Sequence, residues 1–353
     1  MTQFILRRLI QAIPTLFGIT VLTYAIIVAA PGDPVSTLTF GPRTTKAQRV
    51  ALAAQLGTND PVYKQYIRWL IGNDWQKFPK VDGRGNPVLD SNGEQIVERG
   101  TKKGILRGDF GTSFVTKRPA LELIIEKFPA TAELGSLSLL VGILLGVSIG
   151  VLAAVQRGGV FDNLTRVMAV IFSAVPVFWL GLTLLLIFGS WLGWLPMGGR
   201  YPTNYFLTGE VSLADRIEHL ILPVAVLSTG WIAILSRFMR ASTLDVLSQD
   251  YVRTAQAKGL AYRQIWFVHA ARNALIPIAT ILGPAIPGII GGALITETIF
   301  SWPGVGRTTY SAVLTQDYPV IMCAVIIVSL TTIVGYLLSD ILYALIDPRI
   351  RLS

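Results

Sequence analysis

Six apolar runs dominate the chain, at residues 9–30, 132–155, 164–192, 220–238, 276–299 and 320–345. Each is long enough, at about 20 residues or more, to cross roughly 30 Å of hydrocarbon as a helix. Lipid offers no partner for backbone N–H and C=O groups, so spanning segments must pair them internally as helices or as a closed barrel. The alternation over about ten residues that marks a barrel strand is absent from these runs. Only 14% of the 353 residues are charged and 52% are hydrophobic, whereas a soluble chain carries about 25% charged residues. The expected fold class is an all-α polytopic membrane protein with six transmembrane helices.

The charge is uneven. Residues 31–130 hold 15 of the 30 Lys and Arg, so this segment has a soluble-like composition. In the short connections, one side of the membrane would carry Arg7, Arg8, Arg157, Arg166, Arg237, Arg240, Arg253, Lys258, Arg263, Arg272, Arg349 and Arg351, and the other Arg200, Arg216 and Arg307. That asymmetry predicts both termini cytoplasmic, and a long translocated domain does not contradict it. The expected organisation is residues 1–30 as cytoplasmic N-terminus and first helix, 31–130 as a mixed external domain, and 131–353 as a five-helix core with a cytoplasmic loop at 239–275. The first run exceeds a signal-peptide core of 7 to 15 residues and is read as uncleaved.

Within the external segment, residues 44–56 and 61–71 have helical spacing, with Asn59, Asp60 and Pro61 as a start signal. Residues 81–101 carry Asp-Gly and Asn-Gly pairs and predict one or two small hairpins, with disorder as the alternative. Residues 119–127 resume a helical pattern leading to Pro129 and the second run.

Enzymatic motifs are missing. The dipeptide Gly-Lys does not occur, so no phosphate loop exists; neither a G-x-S-x-G elbow nor an H-E-x-x-H helix is present. Cys323 is the single cysteine, and His219 and His269 lack neighbouring ligand types, so each His reads as an interfacial side chain and no metal is expected. The net charge of +9 sits beside apolar runs without interleaved aromatics, so no nucleic acid is expected.

Residues 237–272 connect the fourth and fifth runs and far exceed the usual helix connection of about 2 to 8 residues. Asp250 is positioned to cap a short helix over 251–258, with Lys258 at its negative end and Gly259 at the left-handed stop. Tyr251, Ala255 and Lys258 share one face of that helix, with Ala257 nearby. Such a helix suits force transfer to another protein; an ordinary helix held at the bilayer surface by its basic residues is the alternative.

Gly142, Gly146 and Gly150 recur every fourth residue on the second run, and Gly288 and Gly292 on the fifth, which opens those faces to close helix packing. Pro284 and Pro287 should bend the fifth run. Glu297 and Asp340 are charged residues near span ends: Glu297 is a candidate for an amino group or for a lock with Arg307, Asp340 a structural residue.

The segment YVRTAQAKGLAYRQIWFVHAARNALIPIAT, residues 251–280, resembles the cytoplasmic signature loop of ABC importer inner-membrane permeases, specifically the B-type subunit of the dipeptide and oligopeptide permease family. PGDPV at 31–35, GDFGTS at 108–113, RPALELIIEKFPATAEL at 118–134, ETIFSWPGVG at 297–306 and DILYALIDPRIR at 340–351 extend the likeness. The resemblance implies a type I importer permease fold in which Tyr251, Arg253, Thr254, Ala255, Gln256, Ala257, Lys258 and Gly259 form a coupling helix that docks on a cytoplasmic ATPase. Arg253 and Thr254 stand where the general signature has Glu-Ala, so contacts of that Glu do not carry over. Pro284, Pro287, Glu297 and Trp302 are the pathway or gate candidates. The implied partners are a second homologous permease, two ATP-binding subunits or domains that hold ATP and Mg, and an external substrate-binding protein. No cofactor is expected on this chain, nor enzymatic activity. The alternative is an ion-gradient transporter, for which paired broken helices and several intramembrane acids would be needed.

Overall fold

The computed structural model describes residues 2–29, 60–80, 88–203, 205–275, 278, 281, 285, 288–289 and 291–346. Four helices among them are long and apolar enough to cross a membrane: α1 (Thr2–Ala29), α3 (Ala120–Val155), α6 (Leu213–Leu247) and α10 (Tyr318–Ile346). Between them lie α2 (Val62–Ile71), α4 (Val160–Ala174), α5 (Val177–Leu184), α7 (Asp250–Ala257), α8 (Leu294–Ile299) and α9 (Val305–Leu314).

The run expected at 164–192 is not one straight span. α4 and the stretch from α5 through the π-helical Leu185–Trp191 meet at an angle of 100°. The cause is Pro176, which pushes Val175 into an extended conformation (φ −69°, ψ 125°) and so ends α4. A second difference lies at the start of the core. The patterns at 119–127 and 132–155 are one 36-residue helix, α3, with Pro129 inside it. At 1.5 Å per residue it is about 54 Å long, well beyond the hydrocarbon thickness.

The chain divides into two compact units, one of residues 1–9, 127–307 and 330–353, the other of 10–126 and 308–329. In the first, α3 and α6 pack along the glycines singled out above. A Cβ on Gly142 would sit 2.3 Å from Trp231 Cβ, one on Gly146 2.8 Å from Leu235 Cβ, and one on Gly150 2.6 Å from Met239 Cβ. Both series advance by four in the same direction, so the two helices run parallel, and the chain returns between them through α4 and α5. Val151, Leu235, Met239, Ala271, Ala274 and Ile278 bury the seam's end. Gly288 and Gly292 do not repeat this arrangement: Gly288 faces open space, and Gly292 has φ +86°, just before α8 begins after Ala293.

In the second unit, α2 starts after Pro61, as its signal predicted. The turn-rich segment forms a hairpin: β1 (Lys77–Pro79) pairs antiparallel with β2 (Val97–Arg99), and Leu89 bridges Gln95. Asp90 Oδ1 accepts the N–H groups of Asn92 and Glu94 at 2.8 and 2.9 Å and closes the tip. Asp74 and Arg107 form a two-pronged pair at 2.6 and 2.7 Å, and Arg107 also donates to the Ile71 carbonyl. The GDFGTS segment is tied down by Asp317, which is buried and accepts the Ser113 hydroxyl and the Phe114 N–H (2.9 Å) at the head of α10. The helical pattern at 44–56 lies outside the described residues.

Candidate functional site

α7 follows α6 after only Ser248 and Gln249. It buries Val252 and Ala255, one turn apart, against Ile265, with Val246, Leu247 and Trp266 around them. Ala255 therefore shares the inward face with Val252, not an outward face with Tyr251 and Lys258. Its small side chain lets the helix lie close to its own support. The outward surface is Tyr251, Arg253, Thr254, Gln256, Ala257, Lys258 and Gly259, all exposed. Gln249 is the N-cap residue and Asp250 the first helical residue, so Asp250 acts in the first turn and not as the cap. Gly259 does take the left-handed conformation, φ +76°. Tyr251 is held by Asn273 Nδ2, which donates to its hydroxyl at 2.7 Å. α7 is thus seated on a buried pair and pinned at its first turn, with one polar face open.

α6, which leads into α7, also carries a charge pair. Arg240, on α6, donates through Nε and Nη2 to both carboxylate oxygens of Asp162 at 2.5 and 2.7 Å. Asp162 is 1% exposed and also accepts the Gly158 N–H at 2.9 Å. Both carboxylate oxygens are thus hydrogen-bonded, as a buried carboxylate requires. The pair ties the turn between α3 and α4 to α6 one residue beyond Met239, where Gly150 already brings α3 against α6. In the sequence Arg240 is a topology signal and Asp162 belongs to no motif, because partners 78 positions apart leave no local pattern.

A second buried cluster gathers the candidates at 297–302. Glu297 is 0% exposed, accepts the Thr131 hydroxyl at 2.9 Å and accepts the backbone N–H of Arg307 at 2.8 Å. Thr131 Oγ1 in turn accepts the Val305 N–H at 2.8 Å. These two groups satisfy N–H donors of the first turn of α9, where the helix dipole favours an anion. Gly304 and Gly306 make the room: Cβ atoms there would lie 2.3 and 3.0 Å from the Glu297 carboxyl group. Of the two roles considered for Glu297, the geometry is that of a lock, made with the Arg307 main chain. Trp302 is 1% exposed, donates its indole N–H to the Ala130 carbonyl at 2.8 Å, and packs with Leu134, Leu220, Val224 and Leu227. Ser301 is held at φ +49° between them. Pro284 and Pro287 lie outside the described residues, as does the side chain of Asp340.

Glu133, half-buried, holds two arginines. It accepts from Arg200 Nε and Nη2 at 2.8 and 2.6 Å and from Arg216 Nη2 at 2.6 Å. Two of the three cations assigned to the less basic side are therefore neutralised in part by one carboxylate. His219 sits beside them, its Nδ1 2.7 Å from the Asp215 carbonyl.

Comparison with known proteins places these features. Residues 146–352 match the family described as binding-protein-dependent transport system inner membrane component, and residues 1–81 match its N-terminal companion. The chain is 40% identical over 352 residues to the oligopeptide transport system permease protein AppB of Bacillus subtilis, covering 99% of this chain and 100% of that one. It is 36% identical over 369 residues to the dipeptide transport system permease protein DppB of Escherichia coli K12, covering 99% of each. With the di/tripeptide transport system permease protein DppB of Pseudomonas aeruginosa it shares 37% over 366 residues, again 99% of each. In fold it resembles a chain of the MetNI methionine ABC transporter in inward-facing form, with a TM-score of 0.51 at 16% identity over 64% of this chain and 97% of that one. By the family match across the core and by relatedness along its whole length, the chain belongs to the inner-membrane components of binding-protein-dependent transport systems, as a B-type permease subunit of the dipeptide and oligopeptide kind.

Proposed function

We propose that this chain forms half of the membrane passage of an ATP-driven importer of short peptides. A second homologous permease completes the passage, an external binding protein delivers the peptide, and two ATP-binding subunits or domains hold ATP and Mg. The chain itself carries out no hydrolysis and binds no cofactor. Six spans with both termini cytoplasmic are the topology of this reading. The parallel course of α3 and α6 supports it, because it makes the bent α4–α5 path a single return crossing.

The observation that carries the reading is the seating of α7: buried on Val252 and Ala255, anchored through Tyr251, and open along Arg253, Thr254, Gln256, Ala257, Lys258 and Gly259. A helix so held transmits a push to α6 and, through Arg240 and Asp162, to the α3–α4 turn. The test is Ala257→Trp in the assembled transporter reconstituted in vesicles. The bulky ring on the exposed face is expected to abolish peptide uptake and release the ATPase subunits on purification, with the membrane subunits still folded. Undiminished uptake with ATPase retained would remove α7 from the coupling role. Uptake driven by an ion gradient without ATP would instead favour the secondary-transporter alternative.

A further inference from the structure

Arg237 sits on α6 inside the apolar run that ends at Phe238, one turn before Arg240. Arg240 is paired with Asp162, and Arg200 and Arg216 with Glu133. Arg237 is exposed, and among the described residues no carboxylate lies within ion-pair distance of it.

Its contacts are to neutral oxygens. Nε donates to the Ala233 carbonyl at 3.0 Å and Nη2 to the Ser173 hydroxyl oxygen at 3.1 Å. The Ser173 hydroxyl itself donates to the Ala169 carbonyl at 2.7 Å, which leaves a lone pair for the guanidinium. A guanidinium has five N–H donors, so most of them remain for water or a ligand.

The side chain points in an unexpected direction. Ala233 is one turn further from α7 than Arg237 is, so the head group folds back over the apolar run. A basic residue at the end of a span ordinarily reaches the other way, to the nearer water. Arg237 also stands two residues from Leu235 and two from Met239, which form the seam with α3, and so faces away from that seam. On the same side, two turns earlier, a Cβ on Gly230 would meet nothing within 4 Å, so α6 is open there as well.

A charge among acyl chains is costly, and such groups face protein or water-filled space and mark ion and substrate paths. Ser173 and the Ala233 carbonyl supply no countercharge. An anion that arrives and leaves completes the site. In a short peptide the carboxyl terminus offers one whatever the side chains are, and a carboxylate matches the guanidinium fork in two parallel bonds.

We propose, on the reading of this chain as half of a peptide passage, that Arg237 faces the water-filled interior and holds the carboxyl-terminal carboxylate of the peptide in transit, with Ser173 and the Ala233 carbonyl fixing the guanidinium.

The test is Arg237→Cys in the assembled transporter, with the unsubstituted protein and its buried Cys323 as background. Purified without nucleotide, the variant is treated with a water-soluble methanethiosulfonate that adds an ammonium group, in the presence of trialanine, trialanine amide or phosphatidylglycerol. Position 237 is expected to be modified, trialanine to slow the modification several-fold, and the amide to slow it less. In vesicles the variant should lose most ATP-dependent trialanine uptake and regain it several-fold after the ammonium reagent, but not after a neutral methyl reagent. Absence of modification, equal protection by trialanine and its amide, protection by phosphatidylglycerol alone, or equal rescue by the neutral reagent overturns the assignment. Should Arg237→Cys fail to assemble, Arg237→Lys is expected to take up trialanine several-fold faster than Arg237→Gln, and equal rates overturn it. ATP-dependent uptake by the unsubstituted assembly tests the peptide-passage reading separately: its absence refutes that reading, and its presence beside any failed outcome refutes only the role of Arg237.

Discussion

Replacing Gly142 by alanine puts a methyl group 2.3 Å from Trp231 Cβ, where non-bonded carbons prefer about 3.5–4.0 Å. The obstructing atom is anchored directly to the α6 backbone, so no rotamer change clears it, and the helices must part by more than an ångström at that level. Overpacking of this kind costs about 1–3 kcal/mol. Alanine recovers up to about 1 kcal/mol of helix propensity relative to glycine, which leaves a net loss of up to about 2 kcal/mol. Gly230, on α6 itself, supplies the control, since a Cβ there meets nothing within 4 Å; Gly230→Ala should be neutral or slightly stabilising. The assay is reversible denaturation of the purified subunit assembly in mixed detergent, followed by helical circular dichroism, with peptide uptake measured in parallel. Gly142→Ala is expected to lower the midpoint and Gly230→Ala to leave it or raise it. Equal midpoints for the two variants would show that α3 and α6 do not approach at Gly142 as described.

Glu297→Ala should destabilise the α8–α9 turn by about 2–4 kcal/mol, because it strands the Arg307 N–H and the Thr131 hydroxyl in a buried site; faster hydrogen exchange at residues 300–310 is the readout, and unchanged exchange would contradict the lock. The Asp74 carboxyl is held below the ordinary carboxylate value, chiefly by its hydrogen bonds from Arg107. Its contribution is therefore complete above the ordinary carboxylate value and lost as pH falls through the lowered one. Limited proteolysis with an acid-active protease should show residues 60–119 opening at low pH, and Asp74→Asn should remove that dependence.

How much could be read in advance follows from the range of each interaction. The apolar runs at 132–155, 220–238 and 320–345 fall within helices, as does the run from 9 as far as Ala29, because length and hydropathy are local quantities. The four-residue glycine repeat on α3 announced a close contact for the same reason, and Pro61 and Gly259 marked a helix start and a helix stop. Ala255 was placed on the wrong face because helical spacing says which residues align, not which side the rest of the fold covers. The glycine spacing of 288 and 292 misled in a related way, since it assumed an unbroken helix where Gly292 is left-handed.

What the amino-acid sequence determined by itself was the class of solvent and the family: runs of apolar residues must leave water, and the motifs at 251–280 and 297–306 are contiguous in the chain. Tertiary structure alone decided which charges are paired. Asp162 with Arg240, Glu133 with Arg200 and Arg216, and Asp317 with Ser113 join positions between 67 and 204 residues apart. Burial makes such pairing obligatory because an ion taken out of water must find a partner, but only the folded path of the chain selects which partner it finds.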